Sequence, residues 1–207
     1  MTYWEEKDRT MLRIISGECK GRLLKTVSGS STRPTTDRVK ESVFSILQLR
    51  LPGSSILDLF SGTGNLGLEA MSRGGKDAVF VEKDPGALAV LRENCRTLEY
   101  MDTTEILPCD VRKAIPLLSA RKRVFDIVFM DPPYSHDLEV PTITALDACH
   151  LVKEDGIIVV EHLLLDEQQD SIGSFIRYDL RKYGNTAISL YRKETSKNEN
   201  SSLSGKF

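Results

Sequence analysis

Asp131-Pro132-Pro133-Tyr134 ends an apolar run, RVFDIVFM, with an acid, two prolines and an aromatic ring. The acid is costly to bury, and neither proline offers a backbone N–H. The combination suits chemistry on a planar exocyclic amine. The lone pair of such a nitrogen is delocalised and attacks poorly. Two acceptors aimed at its N–H bonds favour a pyramidal nitrogen and localise the lone pair. The Asp131 carboxylate and the Pro132 carbonyl are those acceptors. The prolines restrict φ and keep them in place, and preorganised dipoles stabilise developing charge without reorganisation. Tyr134 can stack on the flat group and hold it face-on. A rigid strand-terminating turn is the plainer reading of the same four residues, and the rest of the chain weighs against it.

A second constellation lies upstream. ILDLFSGTGNLGLEA carries Gly62-x-Gly64-x-x-Gly67 between a strand and a helix, and Glu82 follows Gly62 by twenty residues. That spacing meets a dinucleotide fingerprint. Asp58 separates the candidate ligands. A pyrophosphate on the helix amino terminus would meet its like charge, whereas a cation would be attracted. S-adenosyl-L-methionine has a sulfonium and an α-ammonium and no phosphate. Glu82 is then placed to accept from both ribose hydroxyls. Asp110, in LPCD, accepts from the adenine amino group, caps the helix that follows, or does both. Asp58, Glu82, Asp110 and Asp131 all fall at or near strand carboxyl ends, where open doubly wound sheets bind ligands.

The elements that position these residues follow from periodicity. MLRIISGECKGRLLKTV reads as a short β-hairpin. SGSSTRPTTDRV is a loop entering a helix, with Thr36 as N-cap and Val39, Val43, Ile46 and Leu47 on one face. From Ser55 strands and helices alternate. SSILDLF, DAVFVE, TEILPC, RVFDIVFM and GIIVVEH are strands. NLGLEAMSRG, closed by Gly74, and PGALAVLRENCRTL are helices. VRKAIPLL is a short helix interrupted by Pro116, and HDLEVPTITALDACHLV is mostly helix. FIRYDLRKYGNTAISLYRK gives two more strands turning at Tyr183–Gly184–Asn185. The pattern predicts an α/β fold: a mostly parallel seven-stranded sheet covered on both faces, with an antiparallel carboxyl-terminal hairpin at one edge.

Charge is uneven. Residues 1–50 carry ten Lys/Arg against six Asp/Glu, and residues 51–207 carry eighteen against twenty-four. A basic amino-terminal part on an acidic body points to a polyanion partner at one end. Arg13, Lys20, Arg22, Lys25, Arg33, Arg38 and Lys40 form that basic module, suited to phosphates. The same charges also read as ordinary solvated hairpin and helix faces. Cys19, Cys95, Cys109 and Cys149 form no C-x-x-C pair, which disfavours a structural zinc and fits a reducing cytoplasm. No apolar run approaches the ~18 residues of a membrane span. Residues 1–11 read as a disordered extension, with both Met1 and Met11 serviceable as start, and residues 194–207 as a disordered tail.

These motifs resemble a known family. DLFSGTGNLGLEA, VEKD and MDPPY are similar to class I S-adenosylmethionine-dependent methyltransferases acting on planar amines. RIISGECKGRLLKT followed by TRPTTDRVKESVFSIL resembles the RsmD family of 16S rRNA guanine-N2 methyltransferases, as does YGNTAISLYRK. The resemblance runs from about Leu12 to Lys193. It implies a Rossmann-like methyltransferase domain over residues 53–193 and a basic RNA-binding extension over residues 12–52. It implies cofactor binding at Asp58, Phe60, Ser61, Gly62, Thr63, Gly64, Glu82, Lys83, Asp110, Val111 and Asp131, and catalysis at Asp131, Pro132, Pro133 and Tyr134. Lys20, Arg22, Arg33, Thr35, Arg38 and Tyr134 would meet substrate RNA, with Asp37 beside them at the mouth of the cleft.

The expectation is a cytoplasmic, monomeric, metal-free enzyme. It would methylate guanine N2 in small-subunit rRNA, either as naked RNA or within an assembling particle. Three alternatives share part of the signal: a DNA adenine-N6 methyltransferase, an NAD-dependent oxidoreductase using the glycine loop, and a non-catalytic RNA-binding module. No separate target-recognition domain supports the first. For the second, His136, His150 and His162 are the only histidines, and none is an obvious hydride-site acid.

Overall fold

A computed structural model describes residues 12–27, 37–133, 138–166 and 168–194. Two short strands, β1 (Leu12–Arg13) and β2 (Leu23–Leu24), pair antiparallel and precede helix α1 (Asp37–Leu47). Strand and helix then alternate: β3 (Ser55–Leu59), α2 (Asn65–Ser72), β4 (Asp77–Glu82), α3 (Pro85–Thr97), β5 (Thr104–Pro108), α4 (Val111–Ala120), β6 (Phe125–Met130), α5 (Glu139–Ala148) and β7 (Val152–Leu163). Antiparallel strands β8 (Ser171–Ile172), β9 (Phe175–Tyr183) and β10 (Thr186–Lys193) complete the chain's sheet.

The sheet order is β5-β4-β3-β6-β7-β10-β9-β8, parallel from β5 to β7. Alternation along each strand sends side chains to two separate cores. Ile56, Phe80, Phe129 and Val159 pack under α1, α2 and α3, whereas Leu57, Val79, Val128 and Ile158 pack under α4 and α5. Both faces are therefore apolar, as a parallel sheet requires. β3 lies between β4 and β6, and the helices after β3 and β5 leave on opposite faces. The strand order reverses there, opening a crevice at the carboxyl ends.

Three details differ from the sequence reading. The sheet has eight strands, not seven, because Ser171–Ile172 adds a two-residue edge beyond β9. Its brevity leaves no alternating pattern to read. Pro116 does not interrupt α4, which runs through it to Ala120. A proline there forfeits one helical hydrogen bond, and burial of Ala114, Ile115 and Leu118 holds the helix together. Lys40 is fully buried, so it does not belong with the phosphate-facing charges of the basic module. Thr36, expected to cap α1, lies outside the described residues.

The amino-terminal hairpin is not self-supporting, since strands of two residues make almost no ladder. It is fastened to the carboxyl-terminal half of α2, at Glu69 and Ser72. The Glu69 carboxylate accepts from the backbone N–H of Ile15 at 2.8 Å and of Ser16 at 3.0 Å. Ser72 Oγ donates to Ser16 O at 2.7 Å and accepts from Cys19 N at 3.0 Å. Gly17 sits so close that an added Cβ would lie 1.7 Å from Ser72 O. Ile14 and Leu24 join the same core as Ile56 and Phe80.

Candidate active site

The glycine loop connects β3 to α2 at the crevice. Phe60, Gly62 and Gly64 take φ values of 60°, 54° and 89°. Only glycine adopts such values without a steric penalty, so Phe60 is a strained exception. A Cβ on Gly62 would meet nothing within 4 Å, so the loop's outer side is open. The inner side is held at every step. Ser61 N donates to Val81 O at 3.0 Å, Gly62 N to Glu82 Oε2 at 2.8 Å, and Gly64 N to Ser61 O at 2.8 Å. Asn94 Nδ2 donates to Thr63 O at 2.9 Å. Gly67, in the first turn of α2, donates its N–H to Asp58 Oδ2 at 2.9 Å. A Cβ at Gly67 would lie 2.3 Å from the Phe80 ring and 2.9 Å from Asp58 Oδ2. The third glycine thus lets helix and strand approach closely.

Acids ring this loop. Glu82, at the end of β4, also accepts from Lys83 N at 2.7 Å and Asp84 N at 2.8 Å, both on Oε1. A carboxylate has about four acceptor positions, so one remains on Oε2, beside the loop. Asp110 caps α4, accepting from Arg112 N at 3.1 Å, and is paired with Arg112 Nε at 2.8 Å and Lys83 Nζ at 3.4 Å. Those partners, the Arg112 side chain first, hold its carboxyl well below the usual range. Of its two readings the structure displays the cap. Val111, next in α4, is buried in the core below.

Asp58 and Asp131 behave oppositely to Asp110. Asp58 is buried, and burial pushes its carboxyl up to about 7, against the lowering effect of the Gly67 N–H and with a further push from Glu82. Asp131 follows β6 directly. Burial first, then the negative charges of Glu161 and Asp58, raise it well above the usual carboxylate range. Glu161 is a further acid of this kind: it lies near the carboxyl end of β7, one register step beyond Val160, which pairs with Met130. Burial and neighbouring carboxylates favour the protonated form of both carboxyls, and a bound cation would offset that and favour their ionised forms. Pro132 is buried and Pro133 exposed.

Among the described residues, Lys20, Arg22 and Arg38 have exposed side chains. Arg13 pairs with Asp37 at 2.8 Å and Lys25 with Glu93 at 2.5 Å. Tyr134, Arg33 and Thr35 lie outside the described residues. Also among the described residues, no cluster of three His, Cys, Asp or Glu side chains could hold a metal, and no helix is long and apolar enough to cross a membrane.

Two further residues escaped the sequence reading. Asn94, on α3, is 1 % exposed and reaches both the glycine loop and the amino-terminal segment. Lys40, on α1, donates to Asn65 Oδ1 at 2.8 Å, at the start of α2. Lys40 had a legible signal. It stands three, four and seven residues before Val43, Phe44 and Leu47, on the same helical stripe. Asn94 had none, because its partners are 31 and 69 residues away.

The chain is similar to known proteins in sequence and fold. A family model described as "Conserved hypothetical protein 95" matches residues 12–192. The Bacillus subtilis protein named "Putative rRNA methyltransferase YlbH" is 38 % identical over 182 residues, covering 88 % of this chain and 99 % of its own. "Ribosomal RNA small subunit methyltransferase D" of Haemophilus influenzae is 33 % identical, over 87 % of this chain and 92 % of its own. The solved structure of "Putative methyltransferase yhhF" from Escherichia coli superposes with a TM-score of 0.78 at 31 % identity, covering 89 % of this chain and 99 % of that one. The chain therefore belongs to the conserved hypothetical protein 95 family, the RsmD family whose motifs it carries, and has the class I methyltransferase fold.

Proposed function

We propose that this protein transfers a methyl group from S-adenosyl-L-methionine to the N2 amine of a guanine in 16S rRNA. The observation that carries the reading is Asp131-Pro132 at the strand-order reversal, with the buried acids Asp58 and Glu161 beside it and the open glycine loop adjoining. The names of the Bacillus and Haemophilus relatives support an rRNA substrate.

S-adenosylmethionine, when bound, supplies an electrophilic methyl on a sulfonium. The chain's residues fit such a group. Gly62 leaves room for close approach, Glu82 keeps an acceptor position for a ribose hydroxyl, and the raised carboxyls of Asp58 and Asp131 favour a cation. Asp131 and the Pro132 carbonyl accept from the two N–H bonds of the amine and localise its lone pair. Alignment of this kind can remove roughly 7–11 kcal/mol of a barrier. As the new N–C bond formed, the methyl–sulfur bond would break, its electron pair staying on sulfur in the departing S-adenosylhomocysteine, and the nitrogen would have to lose a proton. Asp131 would be ionised beside the bound sulfonium, and the burial that raises its proton affinity suits it to take that proton. Tyr134 stacks on the purine, which leaves its own stack at a cost of a few kcal/mol, less for a loop base.

On this reading the enzyme is a cytoplasmic monomer. Its formal net charge of −2 gives little long-range pull on free RNA, which favours a partly assembled small subunit as substrate. The test is a labelled-methyl transfer assay on 16S rRNA and on assembling subunits, followed by mapping of the modified nucleotide. N2-methylguanosine at one position is the expected product. Label appearing instead on adenine N6 in DNA, or no transfer to either RNA substrate, would overturn the proposal.

A further inference from the structure

The cofactor loop and the amino-terminal hairpin are fastened to the same side chain. Asn94 Oδ1 accepts from Lys25 N at 2.8 Å, just beyond β2. Its Nδ2 donates to Lys25 O at 3.1 Å and to Thr63 O at 2.9 Å, inside the glycine loop. One buried amide thus closes a bridge between two backbone segments that are not otherwise neighbours in sequence. Lys40 repeats the arrangement at the loop's far end. Its Nζ donates to Arg13 O at 2.9 Å, in β1, and to Asn65 Oδ1 at 2.8 Å, the residue after Gly64.

Neither segment is rigid by itself. The hairpin has two residues per strand, and the loop depends on two glycines at positive φ. Each is therefore ordered largely by what it docks against, and both dock on Asn94. A ligand that orders one segment fixes the Asn94 amide and lowers the entropy cost of ordering the other. The exposed Lys20 and Arg22 belong to the hairpin, and the open side of Gly62 belongs to the loop.

We infer that Asn94 is a positioning residue that couples the two substrates, so that RNA held on the hairpin and cofactor held on the loop tighten each other's binding. The inference rests on the function proposed above. Thermodynamic reciprocity requires the same factor in both directions.

The test is calorimetric titration of S-adenosylhomocysteine, which cannot react, with and without a 16S rRNA–protein fragment of the assembling subunit that contains the mapped guanine. In the unaltered protein the fragment should tighten S-adenosylhomocysteine by about fivefold or more, the low end of allosteric couplings. In Asn94→Ala the factor should fall below about twofold, and the KM for S-adenosylmethionine should rise more than kcat falls. Ser72→Ala provides a second probe in case Asn94→Ala does not fold. It loosens the hairpin from α2 at Ser16 and Cys19 and touches no part of the loop. It should also reduce the coupling, by less. Equal S-adenosylhomocysteine affinity with and without RNA in the unaltered protein would overturn the inference. So would undiminished coupling in Asn94→Ala, or in Ser72→Ala where that is the folded variant. No S-adenosylhomocysteine binding at all would instead refute the proposed function.

Discussion

Glu69 and Asp58 are both buried acids attached to α2, and they are balanced in opposite ways. Glu69 is fully buried and meets Lys40 at 3.0 Å, Arg73 at 2.8 Å and two backbone N–H groups. All three of Lys40's hydrogens have acceptors, in Glu69, Asn65 and Arg13. Asp58 is 2 % exposed, receives one backbone N–H, and has its carboxyl pushed up by burial and by Glu82. Asp131, close by, has its carboxyl raised by burial and by the charges of Glu161 and Asp58. The first acid carries its cation within the fold and serves to hold the hairpin on α2. The second has no cationic partner among the described residues, and on the function proposed above the bound cofactor would supply one. Sequence shows both as an acid in an apolar run, and only the partners distinguish structure from binding.

Breaking the first region should cost the most. Lys40→Met leaves Glu69 buried with half its compensation, and removing one partner of a buried pair costs about 3–5 kcal/mol. Urea denaturation should show that loss, together with loosening of the hairpin by hydrogen exchange. A loss below about 1 kcal/mol, the range of exposed pairs, would mean the pair does not hold the hairpin.

Crowding the seam between the two regions comes next. In Gly67→Ala the new methyl collides with the Phe80 ring and the Asp58 carboxylate. Overpacking of this kind costs about 1–3 kcal/mol. Thermal melts should register it, and an unchanged melting temperature would show that α2 can shift freely from β3.

Neutralising the second region should have the smallest effect on stability and the opposite sign. Asp58→Asn keeps an acceptor for Gly67 N–H and removes a charge that burial disfavours, so stability should hold or rise. Affinity for S-adenosylmethionine should fall about tenfold, equivalent to about 1.4 kcal/mol. The pH dependence follows from the same carboxyl. Asp58 is raised to about 7, so between the usual carboxylate range and about 7 the folded chain holds a proton that the unfolded chain has released. Stability from this group therefore falls as pH rises across that window. A cationic ligand prefers the ionised form, so its affinity should rise with pH through about 7 and flatten above it. Titrations from about pH 6 to 8 should show this slope in the unaltered protein and a weaker one in Asp58→Asn. Equal slopes would assign the proton to another group.

Much of this was legible because it is local. A glycine loop between a strand and a helix, and acids at strand ends, need only the order of elements to be placed. Glu161 was readable by that same rule in GIIVVEH, whose carboxyl-terminal acid continues the row from Asp58 through Asp131. What was not legible depends on contacts far apart in sequence. Asn94 has partners on the loop and on the hairpin, and nothing in ALAVLRENCRT distinguishes it from a surface amide. Lys40 shows how a charge overrides a pattern: its helical position placed it in the core, but a lysine reads as solvated until its buried carboxylate is known. Ser171–Ile172 is too short for any period.

The central claim is that Asp131 aims and activates the amine and does not merely hold the fold or the RNA. Single-turnover methyl transfer from S-adenosylmethionine to 16S rRNA, comparing the unaltered protein with Asp131→Ala, tests it most directly when RNA binding is measured alongside. The account predicts a loss of about a hundred- to a thousandfold or more in the transfer rate, the scale for removing one preorganised group, with RNA affinity retained. Transfer within about tenfold of the unaltered rate, less than general acid–base catalysis alone contributes, would contradict it.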